Sequence, residues 1–187
     1  MPLETWLAYT LVTTTFLLIP GPTIILVISY SLLRGKQAVI ALVLGVGLGD
    51  LTAMSLSFLG VGVLLQTVAT AFYLIKWLGA AYLIWLGIKM WSSASEFTDL
   101  DKKTRSHAWR EIFSSAFITT ALNPKSIVFF LAFIPQFIEP ELPFITQVVI
   151  LGATFFVLAI ISVLGYAALA IYAGQQLHLP LIQRWTH

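Results

Sequence analysis

Leu18-Ile19-Pro20-Gly21-Pro22-Thr23 lies in the middle of a run of 28 residues, 6–33, that carries no charge. Such a run is long enough to cross a bilayer, since about 20 apolar residues at ~1.5 Å each span the ~30 Å hydrocarbon core. Each proline removes a backbone donor and clashes with the preceding turn, so we expect the helix to break there. Backbone groups freed inside a membrane need partners from the protein or from water in a cavity. The stretch therefore predicts a broken transmembrane helix beside a cavity, which indicates transport.

The composition of the whole chain indicates a polytopic membrane protein. Of its 187 residues, 59% are hydrophobic and 10% are charged, whereas soluble domains carry about 25% charged residues. The net charge of +2 is too small to indicate nucleic acid as a partner. The chain has no cysteine, and its three histidines lie outside the apolar runs. We therefore expect no disulfide, no metal site and no cofactor.

Five apolar segments predict an all-α fold, a helical membrane bundle in a single transmembrane domain. The predicted spans are residues 6–33, 38–65, 71–91, 112–137 and 144–173. The one polar segment, 92–111, is interpreted as a solvated cytoplasmic loop between a first three-helix unit, 1–91, and a second unit, 112–187. Proline motifs interrupt spans 1 and 4.

The basic residues predict the orientation in the membrane. If the N-terminus lies outside, the inner segments hold eight of the ten Lys and Arg residues: Arg34, Lys36, Lys89, Lys102, Lys103, Arg105, Arg110 and Arg184. The outer segments then hold Glu4, Glu139 and Glu141. Because Lys and Arg accumulate in cytoplasmic loops, we expect the N-terminus outside and the end of this chain inside.

Asp50 is the one acidic residue inside a predicted span. A carboxylate in the membrane costs at least about 2.5–3.5 kcal/mol, and such residues usually face a bundle interior or water. We interpret Asp50 as a proton carrier or as the partner of a cationic substrate group. The alternative is a structural role, either as an ion pair with Lys125 or Lys76 or as a hydrogen-bonded residue between helices.

Small residues precede Asp50 at helical spacing. Gly45 and Gly49 are four positions apart, so they share one helix face and permit close approach of a second helix. The same stretch, Gly47-Leu48-Gly49-Asp50, matches the GxGD tetrad of intramembrane aspartyl proteases. That chemistry needs two carboxylates, and no second Asp or Glu lies inside a span. The sequence therefore favours a protein that is not an enzyme.

Asn123-Pro124-Lys125 is a second interruption of an apolar segment. Pro124 fits the first position of a helix that Asn123 caps. The N–H groups at that helix start would then face the break and favour a substrate carboxylate, with Lys125 adding positive charge. The alternative is a proline kink in which Lys125 extends to the interface or pairs with Asp50.

The two interruptions occupy equivalent positions in the two units. Pro22 opens the second half of span 1, and Pro124 opens the second half of span 4. Because three spans separate them, the second unit would be inverted relative to the first. Paired interrupted segments are the best sequence indication of a transporter site between two repeats.

Four stretches together resemble the family of lysine exporters and homoserine/threonine-resistance exporters (LysE/RhtB). They are Pro20-Gly21-Pro22, then Ser31-Leu32-Leu33-Arg34-Gly35 to Gly49-Asp50, then Lys76-Trp77-Leu78-Gly79-Ala80-Ala81-Tyr82-Leu83-Ile84-Trp85-Leu86-Gly87, then Asn123-Pro124-Lys125 with residues 129–137. The resemblance implies a bacterial inner-membrane exporter of amino acids or related small metabolites, driven by proton antiport, with six helices in two three-helix units. The motif positions that carry over are Pro20, Gly21, Pro22, Asp50, Asn123, Pro124 and Lys125.

We expect the small-molecule substrate to lie between the two interruptions, in a protein otherwise surrounded by lipid. The substrate ammonium would meet Asp50, and its carboxylate would meet a half-helix N-terminus or Lys125. Protonation of Asp50 would couple efflux to proton entry. Members of the family continue past residues 184–185 into a further apolar helix, so this chain is expected to hold five of the six. The alternative function is therefore a truncated scaffold or accessory subunit that does not transport, and association into a homo-oligomer is left open.

Overall fold

The computed structural model describes residues 1–67, 77, 78, 81 and 109–183, and every regular element among them is helical. The helices of the two long segments are α1 Leu3–Leu18, α2 Pro22–Arg34, α3 Lys36–Thr67, α4 Trp109–Ala121, α5 Pro124–Val128 and α6 Phe144–Gln183. A π-helical turn, Phe129–Phe133, and a 3₁₀ turn, Ile134–Phe137, follow α5. The prediction of an all-α helical membrane bundle is confirmed.

Three stretches of the described residues are long and apolar enough to cross a membrane. They are Lys36–Phe58 in α3, Trp109–Phe137 from α4 to the 3₁₀ turn, and Phe144–Gln176 in α6. Helices α1 and α2 make a fourth span if the bent pair is counted as one. The third predicted span, 71–91, and the polar loop up to residue 108 lie almost wholly outside the described residues.

The first break lies where the proline-rich stretch predicts it. Helix α1 ends at Leu18, Ile19 is extended, and α2 begins at Pro22 with a bend of 55° between the two helices. Pro22 removes no helical hydrogen bond, because the N–H at the first position of a helix has no partner in the helix. The extended residue Gly21 stands before α2, and no side chain caps this helix.

A tight turn at Gly35 separates α2 from α3. Gly35 has a φ of 58°, in the left-handed region that favours glycine. Its N–H donates to the carbonyl oxygen of Ser31 at 2.9 Å and so closes the last turn of α2. The chain therefore enters α3 at the next residue.

The second break is also confirmed, together with its predicted cap. Helix α4 ends at Ala121 and α5 begins at Pro124. Asn123 Oδ1 accepts a hydrogen bond from the backbone N–H of Lys125 at 3.0 Å, which is the geometry of an N-cap. Both proline motifs therefore start a new helix within a membrane-spanning segment.

Helices α3 and α4 approach each other closely at two glycines. A methyl group added at Gly45 would lie 2.6 Å from Phe113 O, and one added at Gly49 would lie 2.7 Å from Thr120 Cβ. Neither distance leaves room for a side chain larger than hydrogen. The prediction that this glycine face packs against another helix is confirmed, and it holds Asp50 close to the second break.

Helix α6 holds α1 against the bundle. Trp6 Nε1 donates to Thr154 Oγ1 at 3.0 Å, and Tyr9 OH donates to Leu151 O at 3.1 Å. We predicted an end of the last span at residue 173, but the helix continues to Gln183. The polar residues that follow 173 end the apolar stretch, yet Gln and Leu are good helix formers, so polarity marks the end of the span and not of the helix.

We expect Gly45→Ala to lower the free energy of unfolding by about 1–3 kcal/mol, the usual cost of overpacking a well-packed interface. The matched control is Gly165→Ala, because Gly165 also lies in a helix and nothing lies within 4 Å of the added methyl group. Thermal unfolding in detergent measures both variants. Equal midpoints for Gly45→Ala and the wild-type protein would contradict the close packing of α3 on α4.

Candidate functional site

A cavity of about 40 Å³ lies between the two helix breaks. At ~10–15 Å³ for each water molecule, it has room for about three. The polar part of its wall consists of Gly21, Thr23, Asp50, Asn123, Lys125, Ser126 and Ser162. The apolar part consists of Phe16, Leu17, Ile24, Val46, Phe155, Ala159 and Val163. Both breaks therefore border one space, as the paired motifs predict.

Lys125 binds the end of α1. Its Nζ donates to the carbonyl oxygen of Phe16 at 2.9 Å and to that of Ile19 at 2.6 Å, and it lies 4.3 Å from the centre of the Phe16 ring. The lysine side chain is only 7% exposed. Carbonyl groups at the C-terminal end of a helix lack helical partners and carry partial negative charge. The ammonium group therefore satisfies backbone groups that the first break has freed.

A third carbonyl at the end of α1 is satisfied by α6. Tyr166 OH donates to Leu18 O at 2.7 Å. Lys125 and Tyr166 together reach three carbonyl groups on the last turn of α1 and just beyond it. Because lipid offers no hydrogen bonds, these two side chains make the break compatible with the membrane.

A hydrogen-bonded network joins the two breaks. Asn123 Nδ2 donates to Thr23 Oγ1 at 3.1 Å, and the hydroxyl oxygens of Thr23 and Thr120 are 3.3 Å apart. The other end of the Asn123 amide accepts the cap bond from Lys125. Since the Asn123 amide has partners at both ends, its role in this structure is to hold the start of α2 against the start of α5.

Asp50 is a buried acid in the cavity wall, and no described residue pairs with its carboxyl group. The residue is 5% exposed and forms part of the cavity wall. Within the described residues Asp50 forms no hydrogen bond and no ion pair. The ion pair with Lys125 that the sequence left open is therefore absent, because Lys125 contacts carbonyl groups instead. Lys76, the other candidate partner, lies outside the described residues. A buried carboxyl group without a partner is costly in a membrane. It is therefore the group best suited to bind a cation or a proton from the cavity.

The start of α2 offers donors to the same cavity. The first hydrogen bond of this helix runs from Ile25 N–H to Gly21 O at 2.9 Å. The N–H groups of Thr23 and Ile24 precede it and lack helical partners, and no side chain caps the helix. Thr23 and Ile24 both border the cavity. An acceptor such as a carbonyl or carboxylate oxygen would suit this end.

Four of the seven predicted site residues border the cavity and three do not. Gly21, Asp50, Asn123 and Lys125 are part of its wall. Pro20, Pro22 and Pro124 are exposed and stand apart from it. The prolines position the site through the backbone, because they start or interrupt the helices whose ends form the wall. Lys125 donates to carbonyl groups in this structure, and its predicted contact with a substrate carboxylate stays a prediction.

Sequence reasoning missed five polar or aromatic wall residues: Phe16, Thr23, Ser126, Phe155 and Ser162. Thr23 follows the first motif directly, so its position next to a helix start was a usable signal. Phe16 precedes the break by one turn, and nothing in the sequence distinguishes it from other aromatic residues of the span. Ser162 lies in an apolar part of α6, and its Oγ is buried without a hydrogen-bond partner among the described residues.

Comparison with known proteins finds one family and several relatives. The family model described as LysE type translocator matches residues 14–187. A homoserine/homoserine lactone efflux protein of Salmonella typhimurium is 38% identical over 170 residues, which cover 91% of this chain and 82% of that protein. The protein of the same description from Salmonella typhi is 39% identical over the same share of each chain. An uncharacterized membrane protein of Vibrio cholerae is 37% identical over 184 residues, or 97% of this chain and 88% of that protein. No solved structure matches the chain.

We expect Lys125→Met to lower the free energy of unfolding by about 1–3 kcal/mol, because it removes the ammonium donor from the carbonyl oxygens of Phe16 and Ile19. Methionine keeps the length and the apolar stem of lysine, so packing is little changed. Lys36→Met is the control, since Lys36 is an exposed residue at the start of α3. Thermal unfolding of the detergent-solubilised proteins measures the difference. If the two variants unfold at the same temperature, Lys125 does not stabilise the first break.

Proposed function

This chain belongs to the LysE type translocator family, and from that membership we propose that it exports amino acids or related small metabolites in exchange for protons. Membership makes it a multi-pass membrane protein of a transporter family. We further propose a location in the bacterial inner membrane with the N-terminus outside, on the distribution of basic residues. Bilayer lipid, protons and the exported compound are its proposed partners.

The observation that carries the proposal is the cavity between the two helix breaks. One wall holds the buried carboxyl group of Asp50, which has no partner in the described part of the chain, and another holds the uncapped start of α2. A compound with an ammonium group at one end and a carbonyl or carboxylate at the other has a partner for each end there. Such pairing matters because a charge buried without a partner is costly in a low-dielectric site.

Homoserine and its lactone are the first compounds to test. Two relatives, each about two-fifths identical to this chain, are described as efflux proteins for these compounds. Both molecules carry a primary ammonium group next to a carbonyl group, which matches the two kinds of polar group that border the cavity. The hydroxyl group of homoserine and the ring oxygen of its lactone would each have a hydrogen-bond partner in the buried hydroxyl of Ser162.

The cavity must widen before such a compound binds. Room for about three water molecules is less than an amino acid with several heavy atoms requires. The proposed cycle therefore includes a state in which the breaks separate further and the cavity opens to one side. Transport by rocking of one repeat against the other around a fixed site is the general scheme for broken-helix transporters.

Asp50 is proposed as the group that exchanges a proton for substrate. A deprotonated carboxylate attracts the substrate ammonium, and a protonated carboxyl group does not. Protonation from the outer side would then release the ammonium, and deprotonation to the inner side would restore the site. One proton would enter for each molecule exported.

We expect Asp50→Asn to weaken homoserine binding roughly ten- to hundredfold, because the cavity then lacks the negative charge that balances the substrate ammonium, and an interaction with a charged group contributes about 1.5–3 kcal/mol. Efflux of radiolabelled homoserine from loaded proteoliposomes should fall accordingly. The control is Glu4→Gln, because Glu4 is an exposed acid in the first turn of α1. Efflux by Asp50→Asn at the wild-type rate would remove Asp50 from the mechanism.

Proton coupling has a separate test. In proteoliposomes with an inward proton gradient, the wild-type protein should export homoserine faster than without the gradient, and a protonophore should abolish the difference. Any residual export by Asp50→Asn should be the same with and without the gradient. If the proton gradient still accelerates homoserine export by Asp50→Asn, a group other than Asp50 carries the proton.

A further inference from the structure

We propose that the C-terminal end of α1 is a binding subsite for the primary ammonium group of the substrate, which Lys125 occupies as an internal substitute in this structure. The subsite, called here the α1 cage, consists of the carbonyl oxygens of Phe16 and Ile19 and the face of the Phe16 ring. This inference rests on the proposed function and deepens it, because it assigns the atoms that receive the ammonium. It also gives Lys125 a role before the substrate arrives, because its ammonium group then occupies the subsite.

The geometry of the α1 cage suits a primary ammonium group. Two carbonyl oxygens lie 2.9 and 2.6 Å from Lys125 Nζ, and the Phe16 ring centre lies 4.3 Å away. An ammonium nitrogen carries three N–H donors on a single atom, so it serves two acceptors and faces an aromatic ring at once. The partial negative charge at a helix C-terminus and the negative face of the ring both favour a cation.

The α1 cage borders the proposed substrate cavity. Phe16 and Lys125 are both wall residues, and Asp50 belongs to the same wall. Asp50 carries the negative charge that balances a cation in the cavity without contacting Lys125. A substrate that enters the cavity therefore meets Phe16 and Lys125 at its wall, and the carbonyl oxygen of Ile19 lies at the position of the Lys125 ammonium.

Exchange of one ammonium for another changes little in the cage. Among the described residues no acidic side chain forms an ion pair with Lys125, so its charge is held by carbonyl groups and a ring alone. A substrate ammonium brings the same charge and the same donors. Exchange thus leaves both carbonyl groups with an ammonium donor, whereas departure of Lys125 without a replacement would leave Phe16 O with only the N–H of Ile19 at 3.3 Å and would remove the Lys125 donor from Ile19 O.

The exchange also enlarges the cavity. The stem of Lys125 passes over Gly21, where an added methyl group would lie 3.3 Å from Lys125 Cδ. When the side chain leaves, its volume becomes available in a space that now has room for about three water molecules. The released ammonium is then free to approach the substrate carboxylate or carbonyl oxygen. The Lys125 side chain therefore moves when the substrate binds and then orients the substrate, so it acts as a positioning residue.

The first test vacates the α1 cage and refills it with propylammonium. Lys125→Ala removes three carbon atoms and the ammonium group, which are the atoms of propylammonium. We expect the variant to unfold at a lower temperature than the wild type, and millimolar propylammonium to restore at least half of the loss in a saturable manner. Propanol and propionate should not restore it. Rescue by propanol to the same extent, or no rescue by any of the three, would overturn the proposal.

Two further variants locate the bound amine. The double variant Lys125→Ala with Asp50→Asn should still be rescued by propylammonium, because the carbonyl groups and ring remain. Lys125→Met should not be rescued, because the methionine side chain fills the cage. Loss of rescue in the double variant would assign the amine to Asp50 and contradict the cage.

A competition experiment connects the cage to the substrate. Propylammonium should displace radiolabelled homoserine from Lys125→Ala competitively, since both would need the same carbonyl groups. Simultaneous binding of both would show that the substrate ammonium lies elsewhere. If homoserine neither binds nor is exported by the wild-type protein, the proposed function fails, and rescue by propylammonium still reports on the cage.

A second measurement needs no purified protein. The chain contains no cysteine, so Ser162→Cys provides a single thiol in the cavity wall. In native membranes that carry Lys125→Ala, propylammonium should slow maleimide labelling of this thiol severalfold. In membranes that carry Lys125→Met, it should have no effect. Equal protection of both, or protection of neither, would contradict occupation of the cage by the amine.

Discussion

The two hydrogen bonds from Lys125 Nζ to the carbonyl oxygens of Phe16 and Ile19 are the contacts on which the rest of the structure depends. A membrane helix that breaks exposes carbonyl groups, and lipid cannot satisfy them. Here a cation from the second break satisfies those of the first, and the hydroxyl of Tyr166 satisfies one more. Each break thus supplies hydrogen-bond partners to the other, and the space between them is lined by the groups that make these contacts.

The proline motifs act through the backbone, and their neighbours provide the chemistry. Pro22 and Pro124 each begin a helix, while the Asn123 amide and the Thr23 hydroxyl join the two helix starts. Close packing at Gly49 brings α3 against α4, so Asp50 faces the same space. What results is a cavity with acceptors at the end of α1, donors at the start of α2 and the carboxyl group of Asp50, which no described residue pairs. A small molecule with an ammonium group and a carbonyl group has a partner for each there.

Sequence reasoning recovered the parts of this arrangement that follow from local rules. Proline and asparagine have strong local preferences, so both breaks, the Asn123 cap and the glycine face at Gly45 were predictable. The partner of Lys125 was not, because a sequence records a charge near a break but not the distance to atoms more than a hundred positions earlier. Phe16 and Ser162 were missed for a related reason. An aromatic residue or a serine in an apolar run looks like packing until the fold brings it to a cavity.

The central claim is that substrate binds between the breaks and takes the place of the Lys125 ammonium. An experimental structure with bound homoserine tests this most directly. The account predicts ligand density between the starts of α2 and α5, its ammonium on Phe16 O and Ile19 O, and Lys125 Nζ withdrawn from both. Ligand density elsewhere, or in this cavity with both lysine hydrogen bonds intact, would contradict it.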